Sequence, residues 1–215
     1  MKVTVIDYGL SNLLSVRHAF AHFGAEVELT SKPEEILAAR ALVLPGVGAF
    51  RDGMEGLARL GLMEPIRKKA GEGTPLLGIC LGMQMLFDAS EEFGLHSGLG
   101  LIPGRVVRIP DTDTDGCPQR VPHISWEPLL PAGGRSDFSG TVLQDVAPGQ
   151  ECYFIHSYEA RPAREEYRLA DALYGGRSVC AAAQKGRVVG TQFHPEKSGP
   201  VGLSIIRNYL KLCEQ

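Results

Sequence analysis

Cys80 stands in the stretch Leu76-Leu77-Gly78-Ile79-Cys80-Leu81-Gly82-Met83-Gln84, with one glycine two residues before it and another two residues after. An apolar run ending at a nucleophile between two such glycines is the pattern of a strand–turn–helix elbow, here with cysteine where hydrolases carry serine. The glycines remove Cβ atoms that would collide where strand and helix cross closely. The unpaired N–H groups and positive dipole end of the departing helix favour a sulfur anion. A thiolate in that position attacks carbonyls if a base stands beside it; without one, the cysteine is core packing.

His194-Pro195-Glu196 offers the base. It follows Arg187–Phe193, which pairs with Val179–Ala183 across a Lys185-Gly186 turn as a hairpin. Proline holds His194 extended, and residues two apart in an extended chain face the same side. Glu196 can then fix the imidazole tautomer and stabilise the imidazolium. His123 and His156 are alternative bases, but the flanks of neither supply a carboxylate at orienting distance. Pro45-Gly46-Val47-Gly48 is a glycine-rich turn able to aim backbone N–H groups into a cleft as oxyanion donors. It has no G-K-[ST] or G-x-G-x-x-G and so does not read as a nucleotide phosphate loop. The three features together describe attack on a carbonyl through a thioester, in an amidase, a protease or an acyltransferase.

The elements that must position these groups alternate in type. Lys2–Ile6 reads as a strand, followed by a helix capped by Ser11 or Asn12 with Leu13, Val16, Phe20 and Phe23 inward. Glu26–Leu29 is a second strand, Ser31-x-x-Glu34 a capping box opening a short helix, and Ala41–Leu44 a third strand. This rhythm predicts a parallel sheet flanked by helices, with Cys80 at the carboxyl end of a fourth strand, where such sheets put their ligands. Beyond Glu91-Glu92-Phe93-Gly94 the pattern changes to short strands at Arg105–Ile109, Val121–Trp126 and Cys152–Tyr158. The acidic run Asp111–Asp115 reads as a solvated loop, since the glycine and glutamate of a calcium-binding loop are missing. Gly199–Cys213 closes the chain as an amphipathic helix.

The 215 residues, 44% hydrophobic and 22% charged, suffice for a real core in one domain. A net charge of −3 leaves no electrostatic footprint for nucleic acid or an anionic membrane. The chain opens on a strand rather than on a leader, and no apolar run is long enough to span a bilayer. Five scattered cysteines without a C-x-x-C pair indicate neither a disulfide framework nor a zinc site, and point to the cytoplasm.

Gly78-Ile-Cys-Leu-Gly-Met-Gln84 together with Gln192-Phe-His-Pro-Glu-Lys-Ser198 resembles the class I (triad) glutamine amidotransferases. Asp7-Tyr-Gly-Leu-Ser-Asn-Leu-Leu-Ser-Val16, Leu44-Pro-Gly-Val-Gly48, Pro122-His-Ile-Ser-Trp126 and Tyr153-Phe-Ile-His-Ser-Tyr158 narrow the resemblance to the family of glutaminase subunits of imidazole glycerol phosphate synthases. The resemblance implies a single amidotransferase domain over 1–215. Its fold would be flavodoxin-like or Rossmann-like, a mostly parallel sheet flanked by helices with an antiparallel strand extension.

It further implies Cys80 as nucleophile, His194 as base then acid, and Glu196 as its orienter, with no cofactor and no metal. The oxyanion would be held by the Leu81 N–H and one from Val47 or Gly48. Gln84, Glu92, Ser157 and Tyr158 would grip glutamine. Asn12, Pro122, Ile124, Trp126, Tyr153 and Lys197 would face a (βα)₈ cyclase subunit that receives the ammonia in a heterodimer. Ser11, Ser125 and Glu127 depart from the family pattern, which bears on coupling to that partner rather than on chemistry at Cys80. The rivals are the glutaminase subunit of another synthase (pyridoxal phosphate, anthranilate or aminodeoxychorismate), a partner-independent hydrolase such as a γ-glutamyl hydrolase, and a catalytically silent subunit.

Overall fold

The β-branched run Lys2–Ile6 forms β1, followed by α1 (Leu13–Ala21), β2 (Glu26–Thr30), α2 (Pro33–Ala38) and β3 (Leu42–Gly46). Next come α3 (Phe50–Arg59), α4 (Met63–Gly71), β4 (Leu76–Cys80) and the short α5 (Leu81–Met85). The computed structural model describes residues 1–215. Its second half is rich in strands: β5 (Phe87–Ser90), β6 (His96–Ser97), β7 (Ile102–Arg108), β8 (His123–Pro128), β9 (Leu130–Pro131), β10 (Glu151–His156) and β11 (Tyr158–Pro162). Then follow β12 (Arg168–Tyr174), β13 (Arg177–Lys185), β14 (Val188–Thr191) and α6 (Gly199–Cys213).

Eight strands make the main sheet in the order β2-β1-β3-β4-β14-β13-β12-β9. The first five are mutually parallel, and β13, β12 and β9 continue it antiparallel. This is the mostly parallel sheet with an antiparallel extension that the alternation predicts. Side chains on β3 alternate between two cores. Val43 joins Val16, Phe20, Ile205 and Tyr209 on the face covered by α1 and α6, while Leu42 and Leu44 join Ile36, Leu57 and Ile66 on the face of α2, α3 and α4. Both faces are covered, so the parallel strands read as continuous apolar runs rather than alternating ones.

Two positions matter for the site. Gly46 at the end of β3 is in register with Cys80 at the end of β4, so the glycine-rich turn and the elbow leave the sheet side by side. β14 lies on the other side of β4 and delivers Gln192 through Glu196 to the same edge. A separate β8–β10 ribbon lies over this edge, pairing Trp126 with Tyr153 and His123 with His156.

Several expected boundaries move. Asn12 precedes α1 but makes no side-chain cap, and α2 starts at Pro33 behind Lys32, so the Ser31–Glu34 capping box does not form. Proline at the first helical position, with φ already suited to a helix, sets that start instead. The chain after α5 turns directly into β5, which pairs with β7 and β6 in a four-stranded sheet with β11. No helix is long and apolar enough to cross a membrane.

Candidate active site

Cys80 is the last residue of β4 and takes φ +54° and ψ −110°, a conformation that costs a non-glycine residue about 1–3 kcal/mol. The flanking glycines explain how the surroundings enforce it. A Cβ on Gly78 would lie 2.8 Å from the Gly82 backbone, and one on Gly82 would lie 1.7 Å from the Leu44 carbonyl oxygen. The turn therefore closes only with both side chains absent, α5 pressed against β3 and β4. Leu81 opens α5, so its N–H belongs to the first turn, where no intrahelical acceptor exists.

His194 is extended (φ −96°, ψ 96°), but Pro195–Lys197 form a 3-10 turn rather than continuing the strand. The expected same-side relation is thus made by a turn, with proline at its first position. His194 Nδ1 still meets Glu196 Oε1 at 2.8 Å, with both side chains no more than 3% exposed. The other ring nitrogen, Nε2, is buried without a hydrogen-bond partner. Burial alone would push the imidazole towards neutrality, but its interactions with Cys80 and Glu196 outweigh burial and raise His194 to about 9. Both partners thus favour the imidazolium over the neutral ring.

These groups open onto a cleft of about 320 Å³. Its walls bring together Cys80, His194, Val47, Gly48, Leu81, Gln84, Glu92, Ser157 and Tyr158, all singled out from the sequence, with Pro122 and Lys197. Glu92 accepts the Phe50 N–H at 2.6 Å through Oε2, so one of its oxygens already serves as the cap of α3. Gln84 spends its amide nitrogen on the Tyr158 carbonyl (2.9 Å) and Gln192 Oε1 (3.0 Å). A ligand is left with its Oε1.

The Val47 N–H departs from expectation. It donates to the Leu10 carbonyl at 2.9 Å and is not available as an oxyanion donor in this conformation. The adjacent Gly48, at φ +105°, has no acceptor for its N–H within the chain. The direction of the amides is set by contact with the loop after β1, which nothing in the local sequence of the turn reveals.

Ile124 and Trp126 on β8 and Ile155 on β10 are 53%, 49% and 39% exposed, and half-buried Tyr153 packs against Trp126 with ring centroids 5.9 Å apart. Strand alternation puts these apolar side chains on the outer face of the ribbon, beside the cleft. Asn12 is exposed and does not line the cleft.

His123 and His156 are buried and engage each other, Nδ1 to Nε2, at 3.1 Å. His123 does have a carboxylate neighbour, contrary to the sequence reading: Glu127 Oε1 lies 3.4 Å from its Nε2. Positions 123, 125 and 127 share one face of β8, so period-2 spacing held the signal. Gln192 was also missed. It is fully buried, and its Nε2 is 3.7 Å from Cys80 Sγ. Its spacing two before His194 on an extended segment could have raised it.

The chain matches the family Glutamine amidotransferase class-I over residues 4–212. It is 50% identical over 210 residues to a protein of Legionella pneumophila (strain Lens) named imidazole glycerol phosphate synthase subunit HisH 1, covering 98% of this chain and 99% of that one. It is 48% identical over 208 residues to subunit HisH of the corresponding synthase from Geobacillus thermodenitrificans, with 97% and 94% covered. Among solved structures, one described as a glutamine amidotransferase superposes with a TM-score of 0.73 at 20% identity over 99% of both chains. Thermotoga maritima PurLQS superposes with a TM-score of 0.71 at 18% identity over 98% of both. At those identities the structures speak for the fold.

Proposed function

The chain belongs to the class-I glutamine amidotransferase family, and from that premise we propose that it is the glutaminase subunit of imidazole glycerol phosphate synthase. The observation that carries the chemistry is Cys80 at a strained elbow beside a histidine whose Nδ1 is held by Glu196 and whose Nε2 has no other partner.

In this reading the Cys80 sulfur attacks the side-chain amide carbon of glutamine and forms the S–C bond. The C–N bond then breaks, His194 gives its proton to the leaving nitrogen, and ammonia departs from a thioester. Water, deprotonated by His194, attacks the thioester; glutamate leaves and the thiol is restored. Glu196 keeps Nδ1 protonated and offsets the imidazolium charge. Leu81 N–H and an amide of the Val47–Gly48 turn hold the oxyanion, each such donor contributing about 10²–10³ in turnover. The amino-acid end of glutamine is gripped by Gln84 Oε1, Glu92 and backbone at Ser157 and Tyr158.

Ammonia passes, shielded from water, to a (βα)₈ cyclase subunit. That partner uses it to convert a phosphoribulosyl-formimino intermediate into imidazole glycerol phosphate and aminoimidazole carboxamide ribotide. The exposed Ile124, Trp126 and Ile155 support a docking face beside the cleft, whose wall holds Pro122 and Lys197, with Tyr153 packed against Trp126 on the same face. The Val47 amide, spent on Leu10, gives the partner something to change, since rotating it inward would complete the oxyanion site.

The test separates the two halves of the reaction. Cys80→Ala should abolish ammonia release from glutamine while the complex still turns over with ammonium salt. A variant that still used glutamine would remove Cys80 from the mechanism.

A further inference from the structure

A continuous line of hydrogen bonds runs from strand β8 to the Cys80 sulfur, and one backbone carbonyl fixes its direction. The Tyr158 oxygen can only accept. It receives His156 Nδ1–H at 2.8 Å and Gln84 Nε2–H at 2.9 Å. Gln84 must therefore turn its nitrogen this way, and its second N–H goes to Gln192 Oε1 at 3.0 Å. With Oε1 spent as an acceptor, Gln192 presents its NH₂ end to Cys80, with Nε2 3.7 Å from Sγ, a normal range for a donor to the larger sulfur atom.

We propose that Gln192 is a further catalytic residue, whose Nε2–H donates to the Cys80 sulfur and stabilises the thiolate in a direction dictated by the Tyr158 carbonyl through Gln84. The proposal rests on the reading of Cys80 as the nucleophile. His194 supplies a proton to the reaction; an amide does not titrate in this range, so Gln192 supports the sulfur anion without becoming an acid. Both glutamines are nearly or fully excluded from solvent, at 6% for Gln84 and 0% for Gln192, and buried hydrogen bonds to a charge are the strong ones.

The carbonyl is held from its other side by His156. Burial pushes His156 down to about 3, so it stays neutral, with Nδ1–H on Tyr158 and Nε2 accepting from His123 Nδ1–H. His123 is clamped between Phe154 and Tyr174, with centroids 5.4 and 3.8 Å away. Its Nε2 lies 3.4 Å from Glu127 Oε1, which also accepts the Ser125 hydroxyl at 2.7 Å.

The test is alkylation of Cys80 by iodoacetamide in the full-length chain, followed against pH by mass spectrometry. Gln192→Met removes the donor and keeps the volume; Gln192→Glu replaces the donor with a carboxylate. The expected result is slower labelling at neutral pH, by about ten-fold or more in Gln192→Met and further in Gln192→Glu, with the acid limb moved to higher pH. Folded variants labelled at the parental rate with the parental profile would overturn the proposal. If neither variant folds, side-chain amide NMR of the ¹⁵N-glutamine-labelled parent decides. The Gln192 signal should move in Cys80→Ala, and an unmoved signal overturns the proposal. A parent whose Cys80 resists alkylation would instead sink the nucleophile reading itself.

Discussion

His194 Nδ1 lies 2.8 Å from Glu196 Oε1, and the pair is almost wholly shielded from water. A shielded carboxylate that accepts one ring N–H leaves the neutral histidine a single tautomer, with its other nitrogen toward Cys80, the proposed nucleophile. Glu196→Gln keeps the size but allows the wrong tautomer. Glutamine hydrolysis should fall by about 10²–10⁴-fold, read from kcat for ammonia release. A loss of less than a few-fold would mean that Glu196 does not orient His194.

The raised titration of His194 gives a pH signature. In the proposed mechanism the imidazolium protonates the leaving nitrogen, and in the free enzyme it is lost as pH passes about 9, so the basic limb of kcat/KM should fall near there. Stability carries the same sign. A histidine raised from about 6.5 to about 9 on folding contributes stability that is fully present below 6.5 and disappears as pH climbs through 9. Cys80 is one of the causes of the rise, so in Cys80→Ala the histidine should titrate below 9, as followed by NMR of its ring protons. An unchanged titration would show that the two groups do not interact.

The elbow makes a purely structural prediction. Gly82→Ala brings a Cβ onto the Leu44 carbonyl oxygen and should cost about 1–3 kcal/mol or more, seen as a lowered melting temperature together with loss of activity. Gly71→Ala, at a helix end with open space around it, is the control and should leave both unchanged or slightly raise stability. Equal effects at the two positions would contradict the close crossing of α5 and β3.

What was legible in the sequence was local. The glycines around Cys80, the proline after His194 and the buried runs of β1, β3 and β4 each declare their conformation within a few residues. β12 did not declare itself, because Arg168–Tyr174 mixes alanine and leucine and becomes a strand only by pairing with β13. The His123–Glu127 contact lay in a readable alternation, but strand boundaries were needed to see it. The direction of the Val47 amide depends on the Leu10 carbonyl, thirty-seven residues earlier in the chain, and no local rule contains it.

Ammonia release from glutamine by the chain alone, and again with the proposed (βα)₈ cyclase and its phosphoribulosyl-formimino ligand, tests the proposed glutaminase and its coupling at once. A slow rate is expected alone, rising on the order of ten- to a hundredfold in the liganded complex as the Val47–Gly48 turn completes the oxyanion site. A chain that hydrolyses glutamine at full rate by itself and ignores the cyclase, or that releases no ammonia in either case, would contradict the proposed coupled glutaminase.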